Sequence, residues 1–209
     1  MLKRIFLLQL SLLAMTAMAD NYKILYLNSN HILINGKPAK VGVEFNEKAV
    51  IKWTEDRQAI KVIETNSHVR YLMVARLNEG NNLTPEEILT RNKHLSTHDD
   101  ATTTNNIIKL KSDLEDSYDL LDVIEIPTKL IQDKSHYFLC TYQYGDTKLT
   151  KKLTNDQNAL LIDKTIFMVD GKKLEPRDII LSISYVDGNP DTPIFIKKNI
   201  NIVIIPEEL

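Results

Sequence analysis

Histidines, carboxylates and one cysteine are the residues of this chain with chemistry to offer, and their spacing limits what that chemistry is. His94 and His98 stand four apart and are followed by Asp99 and Asp100. On a continuing helix that spacing puts two imidazoles on one face beside carboxylates, which are zinc-ligand types. The apolar periodicity has ended by this point, and the polar run that follows has nothing rigid with which to hold ligands. A solvated helix end is therefore expected and no metal ligand is assigned, with a hydrolase or metal-dependent activity at His94/His98 as the alternative reading. Asp187-Gly188-Asn189-Pro190-Asp191 repeats oxygen donors at alternate positions. A helix-loop-helix calcium loop wants glycine at its sixth place and glutamate at its twelfth, where this chain has Thr192 and Lys198, so a turn is expected.

Nucleophilic and phosphate chemistry lack a scaffold as well. None of the six glycines builds a nucleophile elbow, a phosphate loop or a dinucleotide fingerprint. His136 and Cys140 lie on one strand-like run, about 13 Å apart at the rise of an extended chain, too far to form a dyad. Cys140 alternates with Phe138 and Tyr142 and reads as a small buried hydrophobe. The pairs Asp99/Asp100 and Glu207/Glu208 read as solvated charge, since neighbours on a strand point to opposite faces. No catalytic residue and no cofactor are assigned. Trp53, Arg57 and Gln58 share a short segment between two strands. A lone tryptophan is more often a core plug than a ligand platform, but a loop-borne Trp/Arg pair is what binding hot spots are enriched in, so these three are the candidate partner-binding residues.

The elements that must position these residues are mostly strands. From Tyr22 to Leu77 short strands alternate with turns: 23–27, 31–34, 50–53, 60–63 and 69–75. Asn35-Gly36 is the pair a two-residue hairpin turn prefers, and Pro38 just beyond it points to an edge strand. Thr84-Pro85-Glu86-Glu87 starts a helix with a cap, proline at the first helical position and glutamate three residues after the cap. Ser96 to Asn106 is polar and rich in threonine and asparagine, the composition of a linker. Residues 113–126 read equally as helix or strand. From His136 onward, runs at 136–144, 147–153, 159–162, 165–169, 179–186, 193–197 and 200–205 are separated by turn residues, the spacing of a β-sandwich.

The expected fold is therefore all-β with minor α. A small N-terminal β barrel or sandwich with a short terminal helix spans 20–95, a flexible linker spans 96–117, and an immunoglobulin-like sandwich spans 118–209. Residues 1–19 read as a secretory signal peptide: Lys3 and Arg4, an apolar run from Ile5 to Met15, and Ala17-Met18-Ala19 before Asp20. Its removal takes the formal net charge from -2 to -4, and the remaining lysines are interspersed with acids, so nucleic acid is not an expected partner. No later run is long enough for a membrane span of about 20 apolar residues. Cys140 alone forms no intramolecular disulfide, which favours a bacterial exported protein held by packing.

The hairpin ending in Ile34-Asn35-Gly36, the stretch Ile51-Lys52-Trp53 through Arg57 to Val62, and the segments Tyr137-Phe138 and Phe167 to Lys172 resemble uncharacterised exported proteins of the Bacteroidetes. The resemblance implies a Gram-negative envelope setting and carries no activity with it. The role expected from these readings is non-enzymatic: a periplasmic or extracellular binding or accessory module that engages a protein or envelope component through an exposed edge strand or loop surface. Carbohydrate binding by a sandwich face, with Tyr142 and Tyr144 as its aromatic pair, is a further alternative.

Overall fold

Asn35 and Gly36 both adopt positive φ, 51° and 75°, and the turn they make sets Leu33 opposite Pro38 and Ile34 opposite Lys37. That is the two-residue hairpin expected of this dipeptide, whose twist matches the strands it joins. A computed structural model describes residues 21–91, 106–168 and 178–209. Residues 1–20, where a signal peptide is expected, His94, His98, Asp99, Asp100 and the polar tract up to residue 105 lie outside the described residues. So do residues 169–177.

The first half contains β1 (Asn21–Leu27), β2 (Leu33–Ile34), β3 (Lys37–Pro38), β4 (Glu44–Asn46), β5 (Ile51–Lys52), β6 (Ala59–Glu64), β7 (Arg70–Val74), β8 (Asn82–Leu83) and α1 (Pro85–Arg91). They form two four-stranded antiparallel sheets, β4-β1-β6-β7 and β3-β2-β5-β8, with Pro38 on an edge where its missing N–H is tolerated. Tyr22, Ile24, Phe45, Val62 and Met73 from one sheet meet Ile34, Ile51 and Leu83 from the other around Trp53 and Ile88. α1 opens on a capping box: the Thr84 N–H donates to Glu87 Oε2 at 2.8 Å, and the Glu87 N–H donates to Thr84 Oγ1 at 3.4 Å.

The second half contains α2 (Ile107–Asp113), β9 (Ser117–Leu120), β10 (Val123–Pro127), β11 (His136–Tyr144), β12 (Thr147–Lys152), β13 (Ala159–Asp163), β14 (Asp178–Asp187) and β15 (Ile194–Ile204). A five-stranded sheet runs β12-β11-β14-β15-β9, antiparallel except that β9 lies parallel to β15, and β10 pairs with β13 in a second sheet. β11, β14 and β15 form the centre of the larger sheet, and the β10–β13 pair faces it across the core. One core fills the space between the sheets, with Ile124, Ile126, Leu160 and Ile162 on one side and Phe138, Cys140, Leu181, Ile183 and Ile202 on the other. The fold is all-β with two short helices among the described residues, neither long and apolar enough to cross a membrane.

Three local expectations are corrected. The flexible linker drawn over 96–117 does not extend through its last residues. Asn106 caps α2 by accepting from the Ile108 N–H at 2.8 Å, and Leu110 and Leu114 bury into the second core. Of the run 165–169, expected as a strand, the described residues 165–167 instead belong to a 3-10 turn from Lys164 to Phe167, because the Asp163 carboxylate captures the Thr165 N–H at 2.7 Å. The runs 193–197 and 200–205 are one strand, β15, that absorbs Asn199 at φ 59° as a register shift. The ambiguous stretch 113–126 resolves into the helix end followed by β9 and β10.

The two halves share a third apolar cluster. Ala59 and Val74, on the outward face of the first sheet, pack against Leu121, Val203 and Ile205, with Tyr26 and Leu72 alongside. That explains why β6 reads as the apolar run Ala-Ile-Lys-Val-Ile: both of its faces are covered at one end. Polar clamps surround the cluster. Arg76 holds Asp119 through two hydrogen bonds from Nη2, at 2.8 and 2.9 Å, and Lys61 holds Asp122 at 2.8 Å. The segment after β15 straps across the first half, where Asn28 Nδ2 donates to the Pro206 carbonyl at 3.0 Å and the Leu209 N–H to the Asn28 carbonyl at 2.7 Å.

Candidate functional site

The docked halves leave a groove of about 750 Å³ between them, lined by Leu25, Tyr26, Lys61 and Arg70 from the first half and by Leu121, Asp122, residues 163–165, Glu207 and Glu208 from the second. Leu25 faces outward by the ordinary alternation from buried Ile24, and the register shift between Ile24 and Tyr26 turns Tyr26 to the same outer side. Lys164 is brought in by the turn that Asp163 caps. Its ammonium donates to the carbonyls of Leu121 at 3.2 Å and Ile205 at 2.8 Å and lies 3.8 Å from Glu207 Oε1. It staples the strap to β9's end.

Electrostatics divide the groove into engaged and open charges. Burial pushes the Asp122 carboxyl up, but hydrogen bonds from Lys61, from the Val123 N–H and from its own backbone outweigh burial and hold it below the usual carboxylate value. Burial also raises the Tyr26 phenol, and the carboxylates of Glu207, Glu208 and Asp122 raise it further, so at neutral pH it is a donor, bonded to the Glu207 carbonyl. Arg70 is exposed at the rim, and among the described residues no carboxylate or carbonyl engages its guanidinium. Glu208 is exposed there too. The groove therefore offers a free cation, a free carboxylate and the exposed apolar side of Leu25.

The structure places the three sequence-predicted binding residues elsewhere. Trp53 is 1% exposed in the first core, where the indole N–H has no hydrogen-bond partner among the described residues. Gln58 is fully buried and acts as an internal brace: its Oε1 accepts from the Thr54 and Glu55 N–H groups at 2.8 and 3.3 Å, and its Nε2 donates to Ser29 Oγ and Thr54 Oγ1. Arg57 lies in the left-handed region at φ 64° and reaches the second half, donating to Asp178 at 2.9 Å and to the Ile204 carbonyl at 3.4 Å. Arg57 alone of the three meets another surface, and that surface is this chain's own other half. Trp53 and Gln58 are removed from any surface a partner could touch.

Other candidates resolve as structure. Cys140 is buried, and desolvation pushes its thiol up to about 12. Tyr142 is also buried, donating to the Ile166 carbonyl at 2.8 Å, so the Tyr142/Tyr144 pair makes no open aromatic platform for a sugar. His136 sits between two carboxylates, 2.9 Å from Asp133 Oδ1 through Nδ1 and 3.7 Å from Asp187 Oδ1 through Nε2. Asp187 to Asp191 is a turn tightened by the Asp191 N–H on Asn189 Oδ1 at 3.0 Å. Among the described residues no group of three or more metal-ligating side chains converges. Comparison with known protein families, with curated proteins and with solved structures finds no match to this chain.

Sequence reasoning missed the groove because residues from 25 to 208 build it and no local motif marks it. One signal was present. Ile24-Leu25-Tyr26-Leu27 is apolar without alternation, so a strand carrying it needs cover on both faces.

Proposed function

We propose that this protein is an exported, non-enzymatic binding module of the bacterial cell envelope that engages a protein partner through the groove between its halves. The observation that carries the reading is the composite groove: a shared core and ion-pair clamps fix both walls, while Arg70 and Glu208 stay open at its rim beside Leu25. Preorganised walls lower the ordering cost of binding, and a mixed-charge rim around apolar patches is how protein interfaces obtain specificity. The groove's cations support recognition rather than turnover. Lys61 and Lys164 are engaged by Asp122 and by main-chain carbonyls. Export rests on the leader pattern of residues 1–19 and on the envelope setting that the Bacteroidetes resemblance implies.

The test is site-specific cross-linking in envelope extracts. A photoreactive residue at Leu25 should capture a partner that the same probe at Ile180, exposed on β14 and outside the groove, does not. Arg70→Glu should abolish that capture without lowering the melting temperature. Equal capture from both positions, or capture indifferent to Arg70→Glu, overturns the reading. The secreted chain should begin at Asp20.

A further inference from the structure

β12 is the terminal strand of the five-stranded sheet, and its outer edge meets no other strand among the described residues. The hairpin that joins it to β11 turns on Gly145, at φ 57°, and closes on Tyr144 opposite Thr147. A two-residue hairpin loop closes on a hydrogen-bonded pair, and pairs then alternate along an antiparallel ladder. Tyr142/Leu149 and Cys140/Lys151 are therefore the bonded pairs, in phase with the Leu153 N–H that donates to the Phe138 carbonyl at 3.0 Å. The intervening residues Lys148, Thr150 and Lys152 turn their N–H and C=O groups away from the sheet. Thr141 and Thr150, directly opposed, touch through their hydroxyls at 3.0 Å. The side chains of Lys148, Thr150 and Lys152 share the outer face of the sheet, while Leu149 is half-buried on the inner face at the rim of the second core, beside Tyr144.

We infer that β12 accepts an extended acidic segment of a protein partner as an added antiparallel strand, with carboxylates opposite Lys148 and Lys152 and an apolar residue opposite Leu149. Three features select this occupant. The outward main-chain groups of three alternating residues offer up to six hydrogen bonds over about 13 Å. Lys148 is exposed, and among the described residues no carboxylate holds its ammonium, while Lys152 lies over the Tyr137 ring at 3.9 Å from its centroid. Lys148 therefore faces an incoming strand as an open cation, and Lys152, whose ammonium also donates to the Asp133 carbonyl at 3.4 Å, adds its positive charge from over the neighbouring strand. A second copy of the chain is disfavoured at this edge: antiparallel pairing centred on Thr150 would set Lys148 of one copy against Lys152 of the other. Lysines on an edge repel unwanted pairing in just this way, and the same charge admits a strand of opposite sign. β12 shares no residue with the groove, so the two sites are independent.

The test uses a fluorescent heptapeptide, Thr-Glu-Thr-Thr-Val-Glu-Thr, titrated into the intact chain. Its glutamates at positions 2 and 6 fall opposite Lys152 and Lys148, and its valine falls opposite Leu149. Binding should weaken about tenfold or more when lysine replaces both glutamates, Lys148→Glu should largely cancel that preference, and Lys148→Glu with Lys152→Glu should reverse it. N-methylation at position 4, whose N–H would face β12, should abolish binding, whereas N-methylation at position 3 should leave it intact. The Thr150 amide should gain protection from hydrogen exchange. Arg70→Glu should change nothing here, which separates failure of this site from failure of the groove. Absence of binding, equal binding of acidic and basic peptides, or indifference to the position of the methyl group overturns the proposal.

Discussion

Arg76→Ala tests whether the halves are truly one unit. Asp119 is only 4% exposed in its side chain, and Arg76, at 28%, reaches it with two hydrogen bonds of 2.8 and 2.9 Å from the far half of the chain. Truncating one partner of a buried, hydrogen-bonded ion pair costs about 3–5 kcal/mol, because the remaining charge stays desolvated. An exposed pair is worth under about 1 kcal/mol. Water reaches one side of the Arg76 guanidinium but not the Asp119 carboxylate, so the expected loss lies near the lower end of the buried range, about 3 kcal/mol. For a chain of this length that is roughly 6–12 °C in Tm. Arg76→Lys should recover only part of it, since the shorter, strongly hydrated ammonium lacks the planar, preorganised donors of the guanidinium, and Arg76→Met with Asp119→Leu should return most of it by removing both charges. The assay is urea unfolding followed by both tryptophan fluorescence, which reports Trp53 in the first half, and far-ultraviolet circular dichroism. Wild type should give coincident transitions, and Arg76→Ala should lower the midpoint. A loss under about 0.5 kcal/mol, or two separate transitions in wild type, would refute the idea that the pair clamps the halves.

Gln58→Ala strips the partners of the Thr54 and Glu55 N–H groups and should cost about 2–3 kcal/mol in urea unfolding, while cross-linking through Leu25 persists below the midpoint; loss of capture at full folding would restore Gln58 to the recognition surface. Cys140, with its thiol pushed up to about 12, should resist iodoacetamide at pH 8 in the native protein and react on denaturation. Because burial favours the protonated thiol, its contribution is complete below the ordinary thiol value of 9.0 and is lost as pH rises from there towards 12, which a denaturation series at alkaline pH checks. The Asp122 and Asp133 carboxyls are both held below their ordinary value, the latter by the Ser135 N–H and the His136 side chain and N–H. Their contribution should therefore be present at neutral pH and lost as pH falls through those depressed values; stability constant from pH 5 to pH 2 would contradict the assignment.

What was legible in the sequence is what local physics decides. Asn35-Gly36 can be a hairpin turn without consulting the rest of the chain, Thr84 to Glu87 closes its own capping box, and the burial of Cys140 follows from the alternation of its strand. The three-residue β4 and the two-residue β8 carry too little pattern to be seen, since each exists only because a neighbour completes its ladder. α2 was hidden for a different reason. Its cap, Asn106, ends a polar tract, and Leu110 and Leu114 declare themselves only against a core supplied by strands further along the chain.

The fate of Trp53, Arg57 and Gln58 shows why the site itself resisted reading. Aromatic and arginine side chains beside a loop mark a surface about to be desolvated, and desolvation by a partner has the same chemistry as desolvation by the chain's own second half. Composition cannot choose between them; position can. Arg57 sits where Asp178 and the Ile204 carbonyl already complete its hydrogen bonds, so it stabilises the docked halves. Arg70, on an outward position of β7 past the margin of the shared cluster, has the same side chain and no such partner among the described residues. Two arginines thirteen positions apart therefore take different roles because the docked second half ends between them, and the groove that Arg70 borders exists only once that docking is complete.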